Sequence, residues 1–234
     1  MQLTPLYELL ILIEDKREVT LDDLKVFNPA ILRGILGKME AMKLVSKTEN
    51  ATFRISEKGQ DLLNSILDNL HEGTLHWDNK WRFISFSIPE SKRPLRDKFR
   101  RQIESVGLKM ILTGLWITPL NIADILEAEA RKIGISKNIV IIESEKIITG
   151  ITQQELKALW NFESSKEEIY KFIRQADEFL NQQNISSYEI KKMIFRYAMI
   201  LNNQPKLPIE LFPSDWPQFR ANLIYKKIKR LLTK

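Results

Sequence analysis

Residues 28–59 read NPAILRGILGKMEAMKLVSKTENATFRISEKG, and the order of patterns inside this stretch decides the fold at the amino end. Asn28 is a helix N-cap and Pro29 occupies the first helical position, where its missing N–H is no loss. Leu32, Ile35, Leu36 and Met39 then recur at helical spacing to about Met42. Leu44–Lys47 and Thr52–Ile55 are short β-type runs around a polar tip, Thr48-Glu49-Asn50-Ala51, the pattern of a hairpin. Ser56 opens a further helix through Leu70.

Working outward, Thr4 and Pro5 start a helix carrying Leu6, Leu9, Leu10 and Ile13 on one stripe to Glu14. Thr20 caps a second helix to about Val26, with Asp22 and Asp23 in its first turn. Three helices, a hairpin and a closing helix make residues 1–71 a winged helix-turn-helix. After a polar link, residues 78–150 give strand Trp81–Ile88, helix Ser91–Val106, strands Leu108–Leu112 and Gly114–Thr118, helix Ile122–Ile133 and strand Asn138–Glu143. This β-α-β-β-α-β order is ferredoxin-like, with helices on one face of its sheet. Residues 151–234 are helical in pattern, broken by the prolines at 205, 208 and 213, and are expected to form a third domain for dimerisation or effector binding. The fold class is α+β.

Composition narrows the chemistry. The 234 residues include no cysteine, which excludes disulfides, thiolate metal sites and a cysteine nucleophile. No apolar run reaches the roughly 18–20 residues of a membrane span. The first residues lack the flanks of a signal peptide, and a cytoplasmic location is expected. No phosphate-cradling Gly-rich loop and no Gly-x-Ser-x-Gly elbow occurs. Neither catalytic nor metal-binding residues are assigned, no cofactor is expected, and the chain reads as a non-enzyme. Net charge is +6, which permits a polyanionic partner. The positive charge is uneven. Residues 1–70 are net −2, yet within 30–59 Arg33, Lys38, Lys43, Lys47, Arg54 and Lys58 outnumber Glu40, Glu49 and Glu57.

Two further stretches carry a resemblance. Trp81–Glu90 (WRFISFSIPE), with Arg93, Arg96-Asp97, Phe99-Arg100, Gly107 and Gly114–Pro119 (GLWITP), resembles the central domain of PaaX-type transcriptional repressors. Leu207–Pro217 (LPIELFPSDWP), followed by Arg220 and Ala221, is similar to that family's C-terminal signature. The resemblance spans nearly the whole chain in the right order. It implies a homodimeric repressor of catabolic operons, released from double-stranded DNA by a small effector of the acyl-coenzyme A type. The middle domain is also similar in pattern to a CRISPR-associated nuclease-like subunit. That subunit carries a metal-binding aspartate where Ser87 stands here, and a hydroxyl is a poor Mg²⁺ ligand in its place.

The residues assigned to DNA are Thr20 and Asn28 at helix starts, then Ala30, Arg33, Gly34, Gly37 and Lys38 on the exposed stripe of the reading helix. Lys43 follows that helix, and Lys47, Asn50, Thr52 and Arg54 lie on the wing. Two glycines on one helical face each cost about 1 kcal/mol against alanine, which points to a close approach by a duplex. Arg33 has the fork to read guanine, and the lysines suit phosphates. For an effector, Arg93, Arg96 and Arg100 offer charge to phosphates and Trp116 an apolar wall. The competing reading is an interaction adaptor without effector, and a metal-dependent nuclease is the remote one.

Overall fold

The structure is a computed structural model. It describes residues 3–50, 52–71, 73–148 and 150–233, so Ala51 of the wing tip lies outside the described residues. The chain divides into two compact units. The first comprises Met1–Glu72, Lys166–Gln204 and Pro217–Lys234, and the second Gly73–Ser165 and Pro205–Trp216. The helical tail expected as one domain over 151–234 is therefore shared out between the two units.

In the first unit, helix α1 (Pro5–Lys16) starts at Thr4 with Pro5 in its first turn. Leu9 through Ile13 are all buried, not only the stripe read from the sequence. The reason lies in the tail. Helix α8 (Ser187–Asn202) packs on α1, so α1 is covered on two sides and needs apolar residues almost all round. Ion pairs fix that contact: Lys191 reaches Glu14 at 2.7 Å and Asp15 at 3.0 Å, and Lys192 reaches Glu8 at 3.0 Å. Phe195 of α8 joins the same core as Leu36, Met39 and Leu63.

Val19 then makes a short antiparallel bridge with Phe53, with N···O distances of 3.0 and 2.8 Å. Thr20–Val26 is not a helix. It is a run of turns closed by bonds from Leu24 to Leu21, Lys25 to Asp22 and Phe27 to Leu24. Thr20 and Asp23 cap each other, and with Leu24 alone fully buried the segment is too short to propagate α-helix. Helix α2 (Pro29–Ala41) follows, capped by the Asn28 side chain accepting from Ala30 N at 2.9 Å. Strands β1 (Val45–Lys47) and β2 (Phe53–Ile55) pair antiparallel, Val45 opposite Ile55. Helix α3 (Glu57–Leu67) closes the winged helix. Its Gly59 is required by space: a Cβ there would sit 2.2 Å from the Leu44 carbonyl oxygen. Helices α7 (Phe162–Leu180) and α9 (Gln218–Arg230) complete the unit, with Phe172, Tyr197 and Tyr225 stacked between α7, α8 and α9.

In the second unit, β3 (Trp81–Phe86), α4 (Arg93–Ser105), β4 (Lys109–Leu112), β5 (Leu115–Thr118), α5 (Ala123–Lys132) and β6 (Ile139–Ser144) follow in the expected order. The sheet runs β4-β5-β3-β6 and every neighbour is antiparallel, which is the ferredoxin-like topology. Ile84 and Trp116 meet Phe99 and Ile103 of α4 and Leu126 and Ala130 of α5 on one face. The other face is covered as well. Trp81 and Ile117 pack with Leu156 of α6 (Gln153–Ala158), Trp160, Leu207 and Leu211. The proline-rich strap that interrupts the tail is thus a lid over the sheet. It is tied down by Ile209 N to Leu75 O (2.9 Å), and Glu210 takes bonds from the Trp77 amide and the His76 ring. Gly107 lies close under it, at φ +100° and with a Cβ position 2.9 Å from Lys206 Cβ.

Candidate nucleic-acid interface

Helix α2 buries Leu32, Leu36 and Met39 and turns Ala30, Arg33, Gly34, Gly37 and Lys38 outward together. Among the described residues, no atom beyond the helix's own backbone and the adjoining residues lies within 4 Å of where a Cβ would stand on Gly34 or Gly37. Among the described residues, nothing outside the helix explains these glycines by crowding, and the face they form is open. Arg33 and Lys38 make no ion pair among the described residues, nor do Lys43 and Lys47. Lys43 ends the helix at φ 59°, its amide bonded to Glu40 O at 2.9 Å, and is exposed. Lys47 and Asn50 are exposed on the hairpin.

Beside this face stands an apolar set that the sequence reading missed. Val26 is 79% exposed, and Leu21 and Ile31 are more than half exposed. Leu21 and Val26 fall in the segment expected as a second helix. With that helix replaced by turns, they point outward, where apolar side chains suit thymine methyl groups.

Four assigned residues have their side chains engaged within the protein, Thr20 and Asn28 in the capping roles read from the sequence. Thr20 spends its hydroxyl and its amide on Asp23, at 2.8 and 2.9 Å, and Asn28 spends its side-chain oxygen on the cap. Thr52 is buried, its hydroxyl 2.5 Å from Thr48 Oγ1 and bonded to Glu18. It faces the domain, not a partner. Arg54 donates from Nε to Glu18 at 2.8 Å and again from Nη2, so its charge is answered within the protein. Hydrogen bonds from Thr52 and then Arg54 hold the Glu18 carboxyl below its ordinary value of 4.5. A carboxyl lowered by folding stabilises above its unfolded pKa, and that gain fades as pH falls through the lowered value. Glu18→Gln should therefore lower the urea midpoint at pH 7 and cease to differ from wild type well below pH 4.5. A constant difference across that range would deny Glu18 this role.

The arginines offered to an effector lie on α4, Arg93 and Arg100 exposed and Arg96 half-buried, and are answered locally. Arg96 reaches Glu90 at 2.8 Å, Arg93 lies 3.7 Å from both Glu90 and Asp97, and Arg100 lies 4.0 Å from Asp97. Trp116 is 4% exposed and stacks on Phe86 at 6.4 Å, which makes it core and not the wall of a binding site. At Ser87, the backbone amide and carbonyl both bond Asn138, at 2.9 Å each. Among the described residues no group of three or more His, Asp or Glu side chains could hold a metal. No helix is long and apolar enough to cross a membrane, among the residues described.

The second unit holds one arrangement unread in the sequence. Arg82, with its side chain 2% exposed, donates to both oxygens of Asp78, to Glu143 Oε1 at 3.0 Å and to Lys80 O at 3.2 Å. The available signal was phase: in Trp81–Phe86, Arg82 alternates with Ile84 and Phe86 on the inward side.

The fold and this exposed face define a class: a winged-helix protein built with a ferredoxin-like central domain. Within that class, residues 74–156 match the family model of the PaaX protein central Cas2-like domain. Among solved structures it is similar to the uncharacterized protein Rv0674 from Mycobacterium tuberculosis, at 14% identity and a TM-score of 0.55. The match covers 88% of this chain and 82% of that one, a likeness of fold. No curated protein matches the chain.

Proposed function

We propose that this chain is a DNA-binding transcriptional regulator, a repressor that a small acyl-coenzyme A-like metabolite releases from its operator. The observation that carries the reading is the open, glycine-bearing face of α2, where Arg33 and Lys38, and Lys43 and Lys47 nearby, make no ion pair among the described residues. The match of residues 74–156 to the PaaX central domain supports the same class of function. The protein acts by occlusion and not as an enzyme, in the cytoplasm where the DNA is. Two copies present two reading helices to half-sites about one helical turn, or a multiple of it, apart. Arg33 reads guanine, Lys38 and Lys43 hold phosphates, and Lys47 and Asn50 extend the contact along the backbone. Effector binding away from DNA favours a spacing of the helices that no longer fits the operator.

The test uses a labelled upstream region of the protein's own operon. Arg33→Ala should cost roughly 1–3 kcal/mol of binding to that DNA and relax preference at one base pair. Unchanged affinity and unchanged salt slope would remove Arg33 from the reading surface. Equal binding to random DNA, falling steeply with salt, would favour the adaptor reading instead. Reproducible cleavage of DNA with Mg²⁺ or Mn²⁺ would favour the nuclease.

A further inference from the structure

Among the described residues of the winged helix, the most exposed large apolar side chains are Val26, Leu21 and Ile31, and all three lie before the second turn of α2. Arg33, Lys38, Lys43 and Lys47, which make no ion pair among the described residues, all come after them. The surface is thus sorted, with apolar groups at the amino end of the helix and cations beyond. A recognition helix laid in the major groove brings its amino end to the base edges, while lysines suit the phosphates around them. The carboxylates nearby do not oppose this. Asp22 is answered by Lys25 at 3.0 Å and Asp23 by Lys16 at 2.8 Å. On a helix that turns about 100° per residue, Ile31 and Arg33 stand on opposite flanks of the outward face, with Ala30, Gly34 and Gly37 between them.

Base edges offer little to an apolar side chain. In the major groove they present hydrogen-bond donors and acceptors, and the one apolar group among them is the 5-methyl of thymine. The cations beyond Ile31 complement a polyanion, which favours a duplex over an apolar protein surface as the occupant. We infer that Ile31 and Val26 read thymine 5-methyl groups, so that the sequence this chain selects carries thymine near the guanine taken by Arg33. The inference rests on the DNA-binding reading above and adds to it what the helix prefers. Val26 stands in the turns ahead of the Asn28 cap and Ile31 in the first turn of α2, so each can be truncated without the other. Leu21 is not included, because the exposed Asp22 adjoins it. Arg33 supplies the polar half of the readout and the two aliphatic side chains the apolar half, on different flanks of one face.

The probe is the upstream region of the protein's own operon, amplified once with thymidine triphosphate and once with deoxyuridine triphosphate. The two duplexes keep every hydrogen-bonding group and differ only in the 5-methyl. Both are titrated with the full chain at one salt concentration. Wild type should bind the uracil duplex at least about fifteenfold more weakly, roughly fourfold for each methyl group lost from contact. Ile31→Ala and Val26→Ala should each bind the thymine duplex more weakly and keep only part of the uracil penalty. The double variant should bind the two duplexes alike. Arg33→Ala should bind both more weakly and keep the penalty in full. Each variant is compared with itself on the two duplexes, so any change in its folded fraction cancels. A wild type indifferent to the methyl groups would overturn the proposal. So would a penalty that persists in the double variant, since uracil would then act through the shape of the duplex. Either result can occur while the upstream region is preferred over random DNA and Arg33→Ala still weakens binding, which leaves the reading of α2 standing. A chain that binds neither duplex would sink that reading and this inference together.

Discussion

Arg82→Ala is expected to destabilise the second unit by about 3 kcal/mol, the lower end of what removing one partner of a buried ion pair costs. The lower end applies because the carboxylates left behind are not themselves buried: Asp78 and Glu143 are 38% and 39% exposed and can turn to water. What is lost is a guanidinium that joins the link at Asp78 and Lys80 to strand β6 at Glu143, and the packing of its stem beneath the sheet. Arg82→Met should recover part of the loss by refilling that volume without a charge. All five tryptophans (77, 81, 116, 160 and 216) lie in the second unit and all five tyrosines (7, 170, 188, 197 and 225) in the first. Tryptophan fluorescence during urea unfolding therefore reads this unit alone. The pH dependence has a fixed sign. The Arg82 hydrogen bonds hold the Asp78 carboxyl below its ordinary value of 3.8, so this part of the stabilisation is complete above that pH and fades below it. The gap between wild type and variant should accordingly narrow as the pH is lowered through the acid range. A fluorescence transition unmoved by Arg82→Ala at pH 7 would show the cluster to be ornamental.

The two predictions about charge and glycine differ in how they could be read from the sequence. The order of elements was legible at both ends of the argument. Proline-led helix starts, the hairpin around residues 48–51 and the alternation in Trp81–Phe86 are local signals, and the winged helix and ferredoxin-like sheet follow from them. What stayed hidden depends on partners distant in the chain. Nothing near Ile11 and Leu12 says that α8 will cover them some 180 residues later. Nothing near Pro205–Trp216 says that this strap will roof the sheet, although the prolines do exclude helix. On the candidate interface, the stripe from Ala30 to Lys38 needs only helical periodicity, and it is outward-facing as expected. The wing was harder, because Glu18, the residue that takes Thr52 and Arg54 out of play, sits on the far side of the helix-turn-helix in sequence. The two faces of α2 were readable from spacing; contacts between segments far apart in the chain were not.

Gly34→Ala with Gly37→Ala separates stability from binding within the first unit. Each glycine sits inside α2, where alanine is favoured by about 1 kcal/mol because it loses less backbone freedom on folding. Both Cβ positions are empty to 4 Å, so no clash offsets that gain. The double variant should be more stable by up to about 2 kcal/mol, if the two sites act independently. Tyrosine fluorescence and far-UV ellipticity of the unfolding transition would register the rise. Binding should move the other way. If the glycine face lies against a duplex, two methyl groups hold the helix off the groove and stretch the Arg33 contact. A loss of about 1.4 kcal/mol is already tenfold in the dissociation constant. The double variant should lose at least that factor for operator DNA, and lose less for random DNA, where phosphate contacts at Lys43 and Lys47 survive a shallower seat. The pair of signs matters more than either magnitude. Glycines kept for the fold's own sake would make the alanine protein less stable. Glycines of no consequence would make it more stable and leave binding unchanged. Only a face kept clear for a partner makes the protein more stable and a worse binder at once.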